Sequence, residues 1–226
     1  MAGNTFGTLF RLTTFGESHG PAIGGVIDGC PAGLALNNDA VQAELDRRRP
    51  GQSHLTTPRK ERDSVEWLSG IHEGTTTGAP IGFMLRNEDS KSGDYDHLQS
   101  AFRPSHADYT YTVKYGHRDH RGGGRASARE TACRVAAGAI ARQLLASAGI
   151  DVSAYVERVE ETAVPFAPRF FDRTEVDASP TRCPDPETAA SMAAIIEGVR
   201  KEGDTVGGTV ALVGRGIPRW FGRTRF

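Results

Sequence analysis

The 226 residues carry 27 Lys and Arg against 28 Asp and Glu, a formal net charge of -1, so no global field draws the chain to nucleic acid or an anionic membrane and any polyanion site must be local. No stretch approaches the roughly 20 apolar residues needed to cross a bilayer, and the first residues lack a basic segment followed by a long apolar run, so a cytoplasmic location is expected. Cys30, Cys133 and Cys183 are odd in number and widely spaced, without CxxC or HExxH in the chain, which points away from a disulfide framework and from a metal site.

In chain order, Gly3 to Phe15 is rich in β-branched and aromatic residues and Ala22 to Ile27 is short and apolar, which predicts two strands about a turn at GESHGP. A helix follows with Asn38 or Asp39 as N-cap, Val41 and Leu45 on its buried side, Arg47, Arg48 and Arg49 in its last turn, and a stop at Pro50-Gly51. From Gly51 to Gly116 the chain is polar and loop-like around brief strands such as Val65 to Leu68 and Ile81 to Leu85. Ser127 with Glu130 has capping-box spacing and predicts a helix that Gly149 ends. Ile150, Val152, Ala154 and Val156 then alternate as a strand. A further helix opens at Asp185 with Pro186 in its first position and ends near Gly203, and Val206 to Val213 reads as a strand. No repeat and no Gly/Ser or Pro-rich linker interrupts this order, so one α+β domain is expected.

The segment YGHRDHRGGGRASAR, Tyr115 to Arg129, combines conformational freedom, positive charge and a helix start. Gly122, Gly123 and Gly124 let the backbone approach a ligand, helix N–H groups favour phosphate, and Arg118, Arg121, Arg125 and Arg129 add charge-assisted contacts. The alternative is a solvated glycine turn. The segment is neither a Walker A loop nor a dinucleotide fingerprint, since no GK[ST] follows and no strand immediately precedes it. His19 and His106 both fall on predicted loops, where a lone histidine is ordinarily a solvated bystander. Successive helical residues are rotated by about 100°, so at most one or two of the three arginines at 47–49 can face one ligand.

Five blocks in order carry a resemblance that such reasoning does not supply. GESHGPAIGGVIDGCPAG from Gly16, DRRRPGQSHLTTPRKERD from Asp46, FRPSHADYTY, KYGHRDHRGGGRASARETACRVAAGAIA and KEGDTVGG resemble chorismate synthases. The resemblance implies a β-α-β sandwich, a homotetramer, and an anti-1,4-elimination of phosphate and a ring proton from 5-enolpyruvylshikimate 3-phosphate. It implies reduced FMN as cofactor, with NADPH as an indirect reductant. His19 is then the acid beside the substrate phosphate and His106 the acid beside the flavin. Arg125, Ala126 and Ser127 match a flavin-contacting stretch, Arg48 and position 54 a dinucleotide-binding pair, and Arg48 and Arg129 substrate-binding positions. Position 54 is His54, where some relatives have arginine.

The resemblance runs to Pro218 and makes the chain look like the N-terminal part of the family pattern, without its later aspartate and Arg-His-Asp-Pro block. RWFGRTRF, residues 219–226, is read as an aberrant tail: under one coding of these residues, dropping a single base after Pro218 gives Ala-Gly-Leu-Gly-Glu-Pro-Val, which suggests a frame shift there. Residues 1–218 are expected to form the family-like domain. Two rival readings stand beside it: a truncated, inactive remnant that binds phosphate or flavin, and an unrelated flavin-binding module.

Overall fold

The computed structural model describes residues 3–51, 61–88, 98–104 and 106–218, so His54 and the tail at 219–226 lie outside the described residues. The chain divides into two compact units, Met1–Gln52 with Pro58–Gln143, and Ser53–Thr57 with Leu144–Phe226. Where the sequence suggests one domain, the division falls between Gln143 and Leu144, inside a helix. That position explains why no glycine or proline marks it.

The first unit is built on an antiparallel sheet of β1 (Thr5–Phe6), β2 (Arg11–Gly16), β3 (Ala22–Asp28), β4 (Val65–Trp67) and β7 (Ile81–Arg86), in the order β1-β2-β3-β7-β4. A small hairpin, β5 (Ile71–His72) with β6 (Thr75–Thr76), stands apart from it. Leu12, Ile23, Ile27, Ile81, Phe83 and Leu85 from the sheet form one buried apolar cluster with residues of two helices. From α1 (Asn38–Arg48) come Val41 and Leu45, and from α3 (Thr131–Ser147) come Ala132, Cys133, Ala136, Ala137, Ala139 and Ile140. The alanine-rich face of α3 puts little bulk between helix and sheet, while β-branched and aromatic residues fill the sheet side.

The second unit is smaller. β8 (Asp151–Val159) pairs antiparallel with β10 (Gly208–Arg215) and with β9 (Thr162–Ala163), and α4 (Arg173–Asp177) and α5 (Pro186–Lys201) complete it. Its core holds Tyr155, Val159, Phe171, Val176 and Met192. Helices beside antiparallel sheets in both units make the chain α+β, as the sequence suggests.

Local signals explain most element ends. Asp185 caps α5 by accepting from Thr188 N at 2.9 Å, and Pro186 occupies the first turn, as expected. The N-cap of α1 is Asn37, one residue before the expected pair, with its Oδ1 accepting from Ala40 N at 3.0 Å. The Ser127–Glu130 capping box does not form. Two single-turn 3-10 helices, Gly124–Ala126 and Ala128–Glu130, precede α3, and Glu130 instead accepts from Thr14 Oγ1 at 2.9 Å and from Arg134 Nε at 3.0 Å. A helix absent from the sequence reading, α2 (Asp108–Tyr115), follows His106 and ends on Gly116 at φ 74°. Among the described residues no helix is long and apolar enough to cross a membrane.

Because Phe83 is wholly buried between sheet and helices, Phe83→Ala should cost about 3–5 kcal/mol, read as a lower urea midpoint at unchanged slope.

Candidate functional site

The β2–β3 hairpin places His19. The two strands pair from Arg11 with Asp28 to Gly16 with Ile23, leaving Glu17 to Pro21 as the connecting turn. Gly16 takes φ 81°, and a Cβ there would lie 2.2 Å from the carbonyl oxygen of Ala22, so the hairpin requires glycine. Ser18 is fully buried, with its Oγ 2.9 Å from His19 Nδ1.

His106 sits just before α2. Its Nδ1 lies 2.9 Å from the carbonyl oxygen of Pro104. A carbonyl only accepts, so Nδ1 carries a proton and Nε2 is the acceptor of the neutral ring. The loop is anchored by Arg103, which donates its main-chain N–H and its Nε to Asp108 Oδ2, at 3.1 and 3.0 Å, and its Nη2 to Oδ1 at 3.0 Å. This forked pair holds the Asp108 carboxyl down at about 2, against the cost of burial.

Arg103 also reaches the glycine loop, donating from Nη2 to the carbonyl oxygen of Gly122 at 2.8 Å. Gly122 takes φ 75°, and a Cβ built on it would meet His19 Nδ1 at 2.0 Å. No other residue lets the loop lie this close to the imidazole. His19, His106, Arg103, Arg118, Glu17, Asp119 and the residues from Gly122 to Ala128 line one cavity of about 610 Å³, within the usual range for small-molecule sites. Burial, with the charge and hydrogen bond of Asp119 beside it, pushes the Glu17 carboxyl up, whereas hydrogen bonds from Arg121 hold Asp119 at about 2.

Five of the eight site residues expected from sequence therefore meet in this cavity: His19, His106, Arg125, Ala126 and Ser127. The Arg125 guanidinium is used within the fold, donating to Gly16 O at 2.9 Å and to Thr14 Oγ1 at 2.5 Å. Arg48 and Arg129 do not line it. Arg48 donates to Asp63 Oδ2 at 3.1 Å and to Ala128 O at 3.0 Å, and Arg129 is buried against the same aspartate. A carboxylate at position 63 thus draws both arginines into the protein. His54 lies outside the described residues. Sequence reasoning missed Arg103 and Asp108, which read as part of a polar loop; an Arg-Pro followed by Asp ahead of a helix was the available signal. Arg118 Nη2 donates to Leu98 O and Ala101 O, while its buried Nη1 has no hydrogen-bond partner among the described residues.

Asp108 binds its partner in the ionised form. Its carboxyl lies below its ordinary 3.8, so it stabilises the fold above about pH 4, and that contribution disappears as pH falls through about 2. Asp108→Asn should therefore flatten the acid limb of a urea-midpoint-versus-pH curve by about 1 kcal/mol after screening, with the wild type losing more between about pH 5 and about pH 2.

Comparison with known proteins identifies the family. The family profile described as chorismate synthase matches residues 10–226. The chain is 57% identical to a chorismate synthase of Christiangramia forsetii over all of this chain and 63% of that protein. To that of Porphyromonas gingivalis it is 59% identical over 92% of this chain and 56% of the relative. A crystal structure of chorismate synthase superposes with a TM-score of 0.72 at 30% identity, covering 93% of this chain and 60% of that one. The chain spans less than two thirds of the length of these relatives. By this match the chain belongs to the chorismate synthase family.

Proposed function

We propose that the chain supplies the histidine-bearing cavity of a carbon–oxygen lyase that removes phosphate and a ring proton from 5-enolpyruvylshikimate 3-phosphate to give chorismate. The observation that carries this reading is that His19, His106 and the glycine-rich loop line the same cavity. The elimination is redox-neutral overall: the C–O bond breaks with its electrons leaving on phosphate, a ring C–H gives up its proton, and a double bond forms.

Phosphate leaves more readily when its growing charge is paired or protonated, and an imidazole titrates near neutral pH. His19 fits that task because Ser18 and Gly122 fix its ring at the cavity wall. His106 holds one proton at Nδ1 through Pro104, so Nε2 is the atom that gains or gives a proton. The unsatisfied Arg118 supports an anionic ligand, since a buried guanidinium nitrogen without an acceptor is costly.

The glycine-rich lining leaves room for reduced FMN. Gly123, Gly124, Arg125, Ala126 and Ser127 line the cavity and would hold the flavin. The chemistry that bound reduced FMN would supply there is transient electron density for the departing system, without net consumption of the flavin. NADPH serves as an indirect reductant; Arg48 would have to release Asp63 or Ala128 to reach it. A homotetramer in the cytoplasm completes the proposal.

The test is anaerobic chorismate formation with chemically reduced FMN. In the protein with the reading frame restored after Pro218, His19→Ala and His106→Ala should each lower kcat by about 10²–10⁴-fold while substrate affinity changes little. Unchanged turnover in either variant removes that residue from the mechanism.

A further inference from the structure

Asn87 follows the last residue of β7, and neither its position in the sequence nor its residue type marks it as functional. Its hydrogen bonds are unusual in where they lead. Its Nδ2 donates to the carbonyl oxygens of Glu17 at 2.9 Å and Gly20 at 2.7 Å, the two residues that bracket Ser18 and His19. Its main-chain N–H donates to Pro21 O at 3.1 Å. Its Oδ1 accepts from Arg129 Nε at 3.0 Å.

The amide can be oriented in one way only. Carbonyl oxygens accept and a guanidinium donates, so a flipped carboxamide would lose all three side-chain bonds. Arg129 in turn is not mobile. Its side chain is 2% exposed, its Nη1 donates to Asp63 Oδ1, its Nη2 lies 3.7 Å from Glu61 Oε2 and 3.3 Å from Arg86 O, and its main-chain N–H reaches Ser127 Oγ. A buried guanidinium with this many partners is a fixed point, because breaking any of them leaves a buried charge unpaired.

We propose that Asn87 is a positioning residue that transmits the buried Arg129 anchor to the His19 turn. This rests on His19 being an acid of the reaction, but the geometry of the turn can be tested without that assumption. Asn87→Asp is the informative variant. It keeps an oxygen for Arg129 Nε, removes the donors to Glu17 O and Gly20 O, and adds a negative charge facing those carbonyls, which the neutral Asn87→Ala controls for.

Gly20 N–H donates back to Glu17 O at 3.1 Å, so its amide hydrogen exchange reports closure of the turn. In Asn87→Asp the Gly20 amide should exchange at least about tenfold faster, and the His19 ring resonances should broaden or double. The amide of Ile140, in the core of α3, and the ring of the exposed His72 should not change. A new carboxylate shifts histidine titration by charge alone, so exchange and line shape are the criteria. Neutral Asn87→Ala should accelerate Gly20 to at least the same degree. Unchanged Gly20 exchange in folded Asn87→Asp, or equal acceleration of Gly20 and Ile140 in that variant, overturns the proposal. Acceleration confined to the turn together with unchanged turnover in His19→Ala would keep the positioning role and reject the acid role of His19.

Discussion

The buried pairing of Arg129 with Asp63 is the interaction on which the site depends. Taking a guanidinium and a carboxylate out of water costs several kcal/mol per ion, which only close geometry and further hydrogen bonds can offset. Here Arg48, Glu61, Asn87 and the Arg86 carbonyl supply them. The charges therefore do more than stabilise: they join the end of α1, the end of β7 and the 3-10 turns before α3 at one point. Two loops that line the cavity are built outward from it, one through Asn87 to the His19 turn, the other through the main chain of the glycine run.

Arg103 provides the second link, and it works from the opposite side. It binds Asp108 beside His106 and Gly122 beside His19, so one guanidinium spans the loops that carry both histidines. Gly122 completes the contact because only a hydrogen fits against the imidazole. The fixed parts of the site are thus arginines turned inward, while Arg118 keeps a buried Nη1 with no hydrogen-bond partner among the described residues.

Much of this was legible in the sequence where a signal is local. The turn at GESHGP, the cap at Asp185 and the buried face of Val41 and Leu45 follow from turn chemistry and periodicity. Competition for a side chain was not legible. Glu130 has the spacing to cap its helix, yet Thr14 and Arg134 hold it, and Thr14 is 116 residues away in sequence. That Asp63, from another segment, binds both Arg48 and Arg129 follows from no local signal either. The helix Asp108–Tyr115 was hidden by its run of tyrosine, threonine and valine, residues of modest helix propensity that α2 overrides. The division inside α3 had no linker to reveal it.

The central claim is that His19, His106 and the glycine loop form one site. Its most direct measurement is an anaerobic titration with reduced FMN in which the ring resonances of His19 and His106 and the amides of Gly122 to Gly124 are followed together, with His72 as reference. The account predicts that all of these respond along a single binding curve while His72 stays still. Separate curves for the two histidines, or a response confined to one of them, would contradict it.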